Sequence, residues 1–335
     1  MDKFITAKKS NKIKYIAVIL MIILHLFSNP PSDYISIINI NGKNIEYIIT
    51  KFCSICVGVF VFLSGYGLTK KYSDNINYKI IGRKILKFYI NYWYIFLIFI
   101  PIGLIMGKIQ ADPIRLTLNF FALISNYNYE WWFVILYVQL LLMFPIFNSI
   151  LNKCTSKKKH IIIYIVSLII SIIAKIIYKK YISNIFANIF LQLLIYQFVF
   201  VTGMLIAKDG IYSKISEKFV IKNKKIEWLL FISIMVFMNT TGCIPVVGKI
   251  VNPIMIPIYI YILADIIKEP KSVTIYKTST NIWLIHTFFT KYYFPEIIWN
   301  LKYSILIVLW TIILVTSISV ILDKILDKIY KMINI

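Results

Sequence analysis

The chain has 335 residues, of which 59% are hydrophobic, 16% aromatic and only 15% charged. No water-soluble domain can hide that much apolar surface, so most of the chain must face lipid or pack inside a membrane bundle. The net charge of +23 lies in short pieces between apolar runs rather than in an aromatic-interleaved stripe, which excludes nucleic acid as a partner and fits the positive-inside bias of membrane proteins.

In chain order, apolar runs near the ~20 residues that a helix needs to cross a bilayer predict spans at 13–28, 48–68, 88–107, 131–151, 161–178, 186–207, 226–241, 251–267, 278–294 and 303–322. The first run follows a basic stretch as a signal peptide does. It lacks a small-x-small cleavage site and continues into Ser28-Asn29-Pro30-Pro31, so an uncleaved anchor is expected. A shorter apolar piece, 114–125, is ambiguous by hydropathy. If it does not cross, the clusters around Lys8, Lys70, Lys84, Lys157, Lys214, Lys268 and Lys328 all fall on the cytoplasmic side. Lys179 and Lys180 then lie outside, as interfacial residues at helix ends. The predicted fold class is all-α: a polytopic integral membrane helical bundle of about ten transmembrane helices, with both termini cytoplasmic. It forms a single membrane domain over residues 1–335 without a separate soluble domain.

Ionisable groups inside spans are costly and mark function by default. Here they are His25, Asp265 and His286, with Lys175 near a helix end. Asp265 reads equally as a salt-bridged helix end and as a site residue. Lys14 and His25 are eleven positions apart, which brings them within ~20° of one helix face and about 16 Å apart along the axis. Two readings are open: an interfacial lysine with a hydrogen-bonded bundle histidine, or a cation at the membrane mouth with an imidazole deeper along one wall. Ser64-Gly65 in "VFLSGYGLTKKY" suits close helix packing, and no base stands beside Ser64 to make it a nucleophile. "GRKILKFYINYW" opens the third span on Arg83, Lys84 and Lys87, followed by Tyr89, Tyr92 and Trp93 as an aromatic belt. Glu130, Trp131 and Trp132 mark the outer face, and "TSTNIWLIHTFF" carries His286. The four cysteines, including the Cys53/Cys56 pair, make no metal framework, and no metal is expected.

Taken in order, these residues resemble the membrane acyltransferase family 3. The resemblance rests on Lys14 and His25 in the first span, Phe62-Leu63-Ser64-Gly65, the basic pair Lys84 and Lys87, Trp132-Phe133, and Trp283-Leu284-Ile285-His286. It implies transfer of an acyl group, usually acetyl, from cytoplasmic acyl-CoA to a hydroxyl of a cell-surface polysaccharide, cell-wall glycan or lipid-linked sugar. Acyl-CoA, acetyl-CoA in the commonest case, is then the donor substrate, with no permanently bound cofactor. It further implies His25 as the essential histidine, acting as general base or as a transient acyl carrier, and Lys14, Lys84 and Lys87 as donor-binding residues.

The family has two arginines where this chain has Lys84 and Lys87, which keep the charge and lose the bidentate fork that Arg83 could supply. The family proline shortly after that pair is replaced by Ile90. His286 would orient His25 or bind donor or acceptor, or else be a structural histidine. Glu130, Trp131 and Trp132 would form a platform for the acceptor sugar. With no extracytoplasmic domain appended, the group would pass directly to its acceptor or to a separate extracytoplasmic transfer protein. The expected location is the plasma membrane, multi-pass, with membrane lipids as neighbours. A secondary transporter or flippase of glycan precursors is the rival reading, but no matched pair of Gly- or Pro-broken helices supports it.

Overall fold

The computed structural model describes residues 2–72, 76–219 and 223–333. The protein is a polytopic bundle of α-helices: α1 (Ala7–Phe27), α2 (Ile45–Cys53), α3 (Cys56–Tyr72), α4 (Tyr78–Ile105), α5 (Pro113–Phe120), α6 (Trp132–Lys153), α7 (Lys157–Tyr181), α8 (Ile185–Asp209), α9 (Ile211–Lys218), α10 (Lys224–Gly242), α11 (Pro245–Ile266), α12 (Thr274–Lys277), α13 (Ser279–Thr287), α14 (Pro295–Trp299) and α15 (Ser304–Met332). A small hairpin, β1 (Asn39–Ile40) with β2 (Lys43–Asn44), turns on Asn41 and Gly42, both at positive φ, where Asn-Gly is the favoured pair.

Among the described residues, eight helical segments are long and apolar enough to cross a membrane, α2 and α3 together forming one of them. Two of the ten expected spans are absent from that set. α10 has 19 residues but opens on Lys224, Lys225 and Glu227. The segment carrying His286 divides into the nine residues of α13 and a five-residue π turn, Phe288–Tyr292. α5 has eight residues, about 12 Å of helix, far less than a bilayer core.

The helices group into two compact units, Met1–Ala17 with Ile55–Ile81 and Leu136–Lys271, and Val18–Ser54 with Gly82–Ile135 and Ser272–Ile335. In the first, α3 and α8 pack backbone to backbone. A Cβ on Gly65 would lie 2.2 Å from the Phe200 carbonyl oxygen, and one on Gly203 would lie 2.3 Å from that of Phe62. Only glycine permits that approach, which is the use expected of Ser64-Gly65. Asp2 anchors the N-terminal segment to the same unit, accepting hydrogen bonds from Tyr212 N (2.8 Å) and Ser213 Oγ (2.9 Å).

In the second unit, α5 is capped by Asp112, whose carboxylate accepts from Ile114 N and Arg115 N. The carbonyls at its end accept from side chains of α4: Tyr92 Oη donates to Asn119 O (2.5 Å), Trp93 Nε1 to Phe120 O (2.9 Å) and Tyr89 Oη to Phe121 O (3.1 Å). The aromatics expected to form a membrane belt thus direct their polar ends at a helix terminus. The chain after α5 leads into the single 3-10 turn Tyr129–Trp131, on which Glu130 sits.

Candidate active site

Within the second unit, three distant segments meet: the end of α1, the 3-10 turn before α6, and the end of α13. α1 stops at Phe27, three residues before Pro30-Pro31, which cannot continue a helix. His25 therefore occupies its last turn. His286 occupies the last turn of α13, just before the π turn. Both imidazoles lie at helix C-terminal ends, where the backbone dipole favours positive charge.

His25 Nδ1 is 2.7 Å from His286 Nε2, and the rings are within 14° of parallel. On its other side, His25 Nε2 is 3.1 Å from Glu130 Oε2. His286 Nδ1 lies 2.8 Å from the Trp283 carbonyl, which can only accept, so this nitrogen carries a proton. A row of contacts thus runs Glu130, His25, His286, Trp283 carbonyl. With one proton at each contact, the two rings and the carboxyl group together are electrically neutral, the least costly state within a membrane. The middle proton then bridges the two rings. The outer one is shared by His25 and Glu130; its loss leaves Glu130 a carboxylate and the His25 Nε2 lone pair free to act as a base.

The row is open at one end only. His286 is fully buried, whereas the His25 and Glu130 side chains retain 13% and 17% of their exposure. A small polar group can approach at the Glu130–His25 contact and not at the His286 end.

Asn128, which sequence reasoning passed over, holds this geometry. It is fully buried and caps the 3-10 turn through Oδ1, which accepts from Glu130 N at 3.1 Å. The same oxygen accepts from Thr287 Oγ1 at 3.0 Å, and Asn128 Nδ2 donates to Leu284 O at 3.4 Å. One side chain thereby ties the turn bearing Glu130 to the helix bearing His286. The only sequence signal was an asparagine two residues before a charged residue, which is too common to single out.

The other expected site residues are dispersed. Trp131 is fully buried, donates Nε1–H to Leu284 O (3.0 Å) and packs edge-on to Tyr92 and Phe288. It has no face left for a sugar, so its assignment to an acceptor platform is corrected to a role in supporting the site. Trp132, the first residue of α6, is half-buried. Arg83, Lys84 and Lys87 occupy the first turns of α4, with Arg83 and Lys87 exposed and Lys84 half-buried. Lys87 Nζ lies 4.2 Å from the centre of the Tyr330 ring, and Tyr330 Oη donates to the Lys87 carbonyl at 2.8 Å. Next along α4, Phe88 lies nearly parallel to Trp283, the residue whose carbonyl accepts from His286. Lys14 is half-buried on α1, about three turns before His25. Asp265 lies half-buried in the last turn of α11, and Cys53 and Cys56 are buried and not joined in a disulfide. Among the described residues, no group of three or more His, Cys, Asp or Glu side chains is arranged to hold a metal.

The model of one protein family, described as an acyltransferase domain and numbered the third of its kind, matches residues 11–324. No curated protein and no solved structure matches the chain. The match takes in α1 with Lys14 and His25, the basic turns of α4, the Glu130 turn and the His286 helix. The chain therefore belongs to the membrane acyltransferase family 3.

Proposed function

We propose that this acyltransferase moves an acyl group, acetyl in the commonest case, from acyl-CoA at the cytoplasmic face of the plasma membrane to a hydroxyl of a cell-surface glycan or lipid-linked sugar, with His25 as general base. The observation that carries the reading is the row of contacts from Glu130 through His25 and His286 to the Trp283 carbonyl. A hydroxyl is a weak nucleophile at neutral pH, and a positioned base gains on the order of 10²–10⁴ in rate.

With the outer proton gone and Glu130 a carboxylate, the acceptor hydroxyl enters between His25 Nε2 and Glu130 and donates its proton to Nε2. As the proton transfers, the oxygen attacks the thioester carbonyl carbon, the new C–O bond forms, and the C–S bond breaks. The proton then passes to the departing CoA sulfur. The imidazolium formed meanwhile is flanked by the Glu130 carboxylate and by His286 Nε2, which accepts from His25 Nδ1–H. His286 is a positioning residue here: its Nδ1 is committed to the Trp283 carbonyl, which leaves Nε2 to fix the His25 tautomer.

CoA is a large anion that cannot enter lipid, so its phosphates pair with Arg83, Lys84 and Lys87 at the membrane surface. Its long, narrow arm reaches inward toward His25. Trp132 offers an aromatic face for the sugar on the acceptor side.

Purified His25→Ala protein in liposomes is expected to lose acyl transfer from acyl-CoA by at least about 10², while still inserting into the membrane as the parent does. Normal acyl content of surface glycans in cells carrying that variant would overturn the assignment of His25 as the base.

A further inference from the structure

A cavity of about 680 Å³ lies in the first unit among α7, α8, α9 and α11. That volume is within the ~300–1,000 Å³ usual for ligand sites. Its walls are mainly aliphatic and aromatic, among them Ile161, Tyr164, Leu205, Ile254 and Pro257. Lys157, Lys214 and Lys218 line it as well, all exposed, from the first turn of α7 and from the short α9. α7, α8 and α11 are each long and apolar enough to cross the membrane, and the lysines stand where α7 begins and α8 has ended. Ile161 and Phe219, also lining it, are 59% and 70% exposed, so the rim of the cavity is apolar as well as basic.

One buried group points to an occupant. His160 is 6% exposed, and its Nδ1 lies 2.9 Å from both carboxylate oxygens of Asp209, which places a proton on Nδ1. Its Nε2 is buried without a hydrogen-bond partner among the described residues, although His160 lines the cavity. A buried polar nitrogen normally has a partner. Among the described residues, Asp209 is the one carboxylate lining the cavity, and it is already engaged by His160, so the three lysines leave the lining net positive.

We propose that this cavity holds an anionic glycerophospholipid of the leaflet bordering the Lys157 end of α7. One acyl chain lies along the apolar wall, the phosphate sits against Lys157, Lys214 and Lys218, and a headgroup hydroxyl donates to His160 Nε2. Basic pockets between transmembrane helices are the usual form of such headgroup sites. A soluble phosphate compound would leave the apolar wall and rim unused, and a zwitterionic lipid would place its choline among three ammonium groups. Lys214 Nζ donates to the Asp209 backbone carbonyl, which anchors that ammonium at the cavity edge.

The test uses the full-length protein exchanged into detergent with equimolar phosphatidylglycerol and phosphatidylcholine of identical chains, and reads bound lipid by native mass spectrometry. Phosphatidylglycerol is expected to be retained about tenfold over phosphatidylcholine. The K157Q/K214Q/K218Q protein is expected to lose most of that preference, falling to within about twofold of equal retention. The control K158Q/K159Q/K225Q removes the same charge from exposed lysines that do not line the cavity and is expected to keep the preference within about twofold. His160 is left intact, because replacing it would strand Asp209, and the lysine variants decide the question. Equal retention of the two lipids, equal loss in both triple variants, or displacement of the lipid by micromolar acyl-CoA would each overturn the proposal. None of these readouts depends on transfer activity.

Discussion

Glu130→Gln separates two accounts of one residue. Gln keeps the size of the side chain and an oxygen able to face His25, but removes the negative charge 3.1 Å from Nε2. Two unit charges at that distance attract by about 5 kcal/mol at an effective dielectric of ~20. Part of that is offset by the cost of desolvating the pair, and both side chains keep some exposure, so a net loss of about 3 kcal/mol is expected, within the ~2–5 kcal/mol typical of breaking such pairs. If the imidazolium forms only as the hydroxyl proton leaves, the loss falls on the chemical step and lowers kcat by roughly 10², with little change in either KM. The assay is acyl transfer by purified protein in liposomes, with donor and acceptor concentrations varied independently. An acceptor KM raised about tenfold at unchanged kcat would refute the reasoning and return Glu130 to the sugar-binding role that its position beside two tryptophans first suggested.

Asn128→Ala removes an oxygen that accepts from Glu130 N and Thr287 Oγ1. It is expected to cost about 2–3 kcal/mol, visible as a lower melting temperature, and to reduce transfer as the Glu130 turn loosens. Unchanged melting and activity would remove its positioning role. Gly203→Ala would press a methyl group onto the backbone of Phe62 and Tyr66, which cannot rotate away. A destabilisation of about 1–3 kcal/mol is expected, and an undiminished melting temperature would show that α3 and α8 part easily. Lys84→Gln with Lys87→Gln should raise KM for acyl-CoA and flatten its dependence on salt, with acceptor KM unchanged. An equal effect on both substrates would take the pair out of the donor site.

Much of the architecture was legible in the sequence because a bilayer imposes a one-dimensional rule. A crossing helix needs a long apolar run, so composition and hydropathy suffice to specify a polytopic all-α protein. Glycine at 65 already announced a close helix contact, since the absence of a side chain is a local property. Local reasoning was weakest where an element is held by distant parts. The segment around His286 reads as one apolar span, yet it breaks into α13 and a π turn. Tyr89, Tyr92 and Trp93 read as a lipid-facing belt because sequence records their amphipathic character and not the helix terminus they serve.

The same division runs through the site. Helical periodicity relates residues within one element, so it could place Lys14 and His25 on one face of α1 and go no further. His25, Glu130 and His286 are 105 and 156 residues apart in turn, and no repeat distance connects them. Their meeting depends on where α1 stops, on Asn128 tying the Glu130 turn to α13, and on the Trp283 carbonyl setting the His286 tautomer. Trp131 and Trp132 are adjacent and chemically identical, but the step from 3-10 turn to helix buries the first among aromatic rings and leaves the second half-exposed. Sequence alone determined the solvent this protein lives in and the residues able to carry chemistry, because hydropathy and titratability belong to single residues. Which of those residues share a proton was decided by tertiary structure, because a hydrogen bond depends on positions set to tenths of an ångström by packing between segments far apart in the chain.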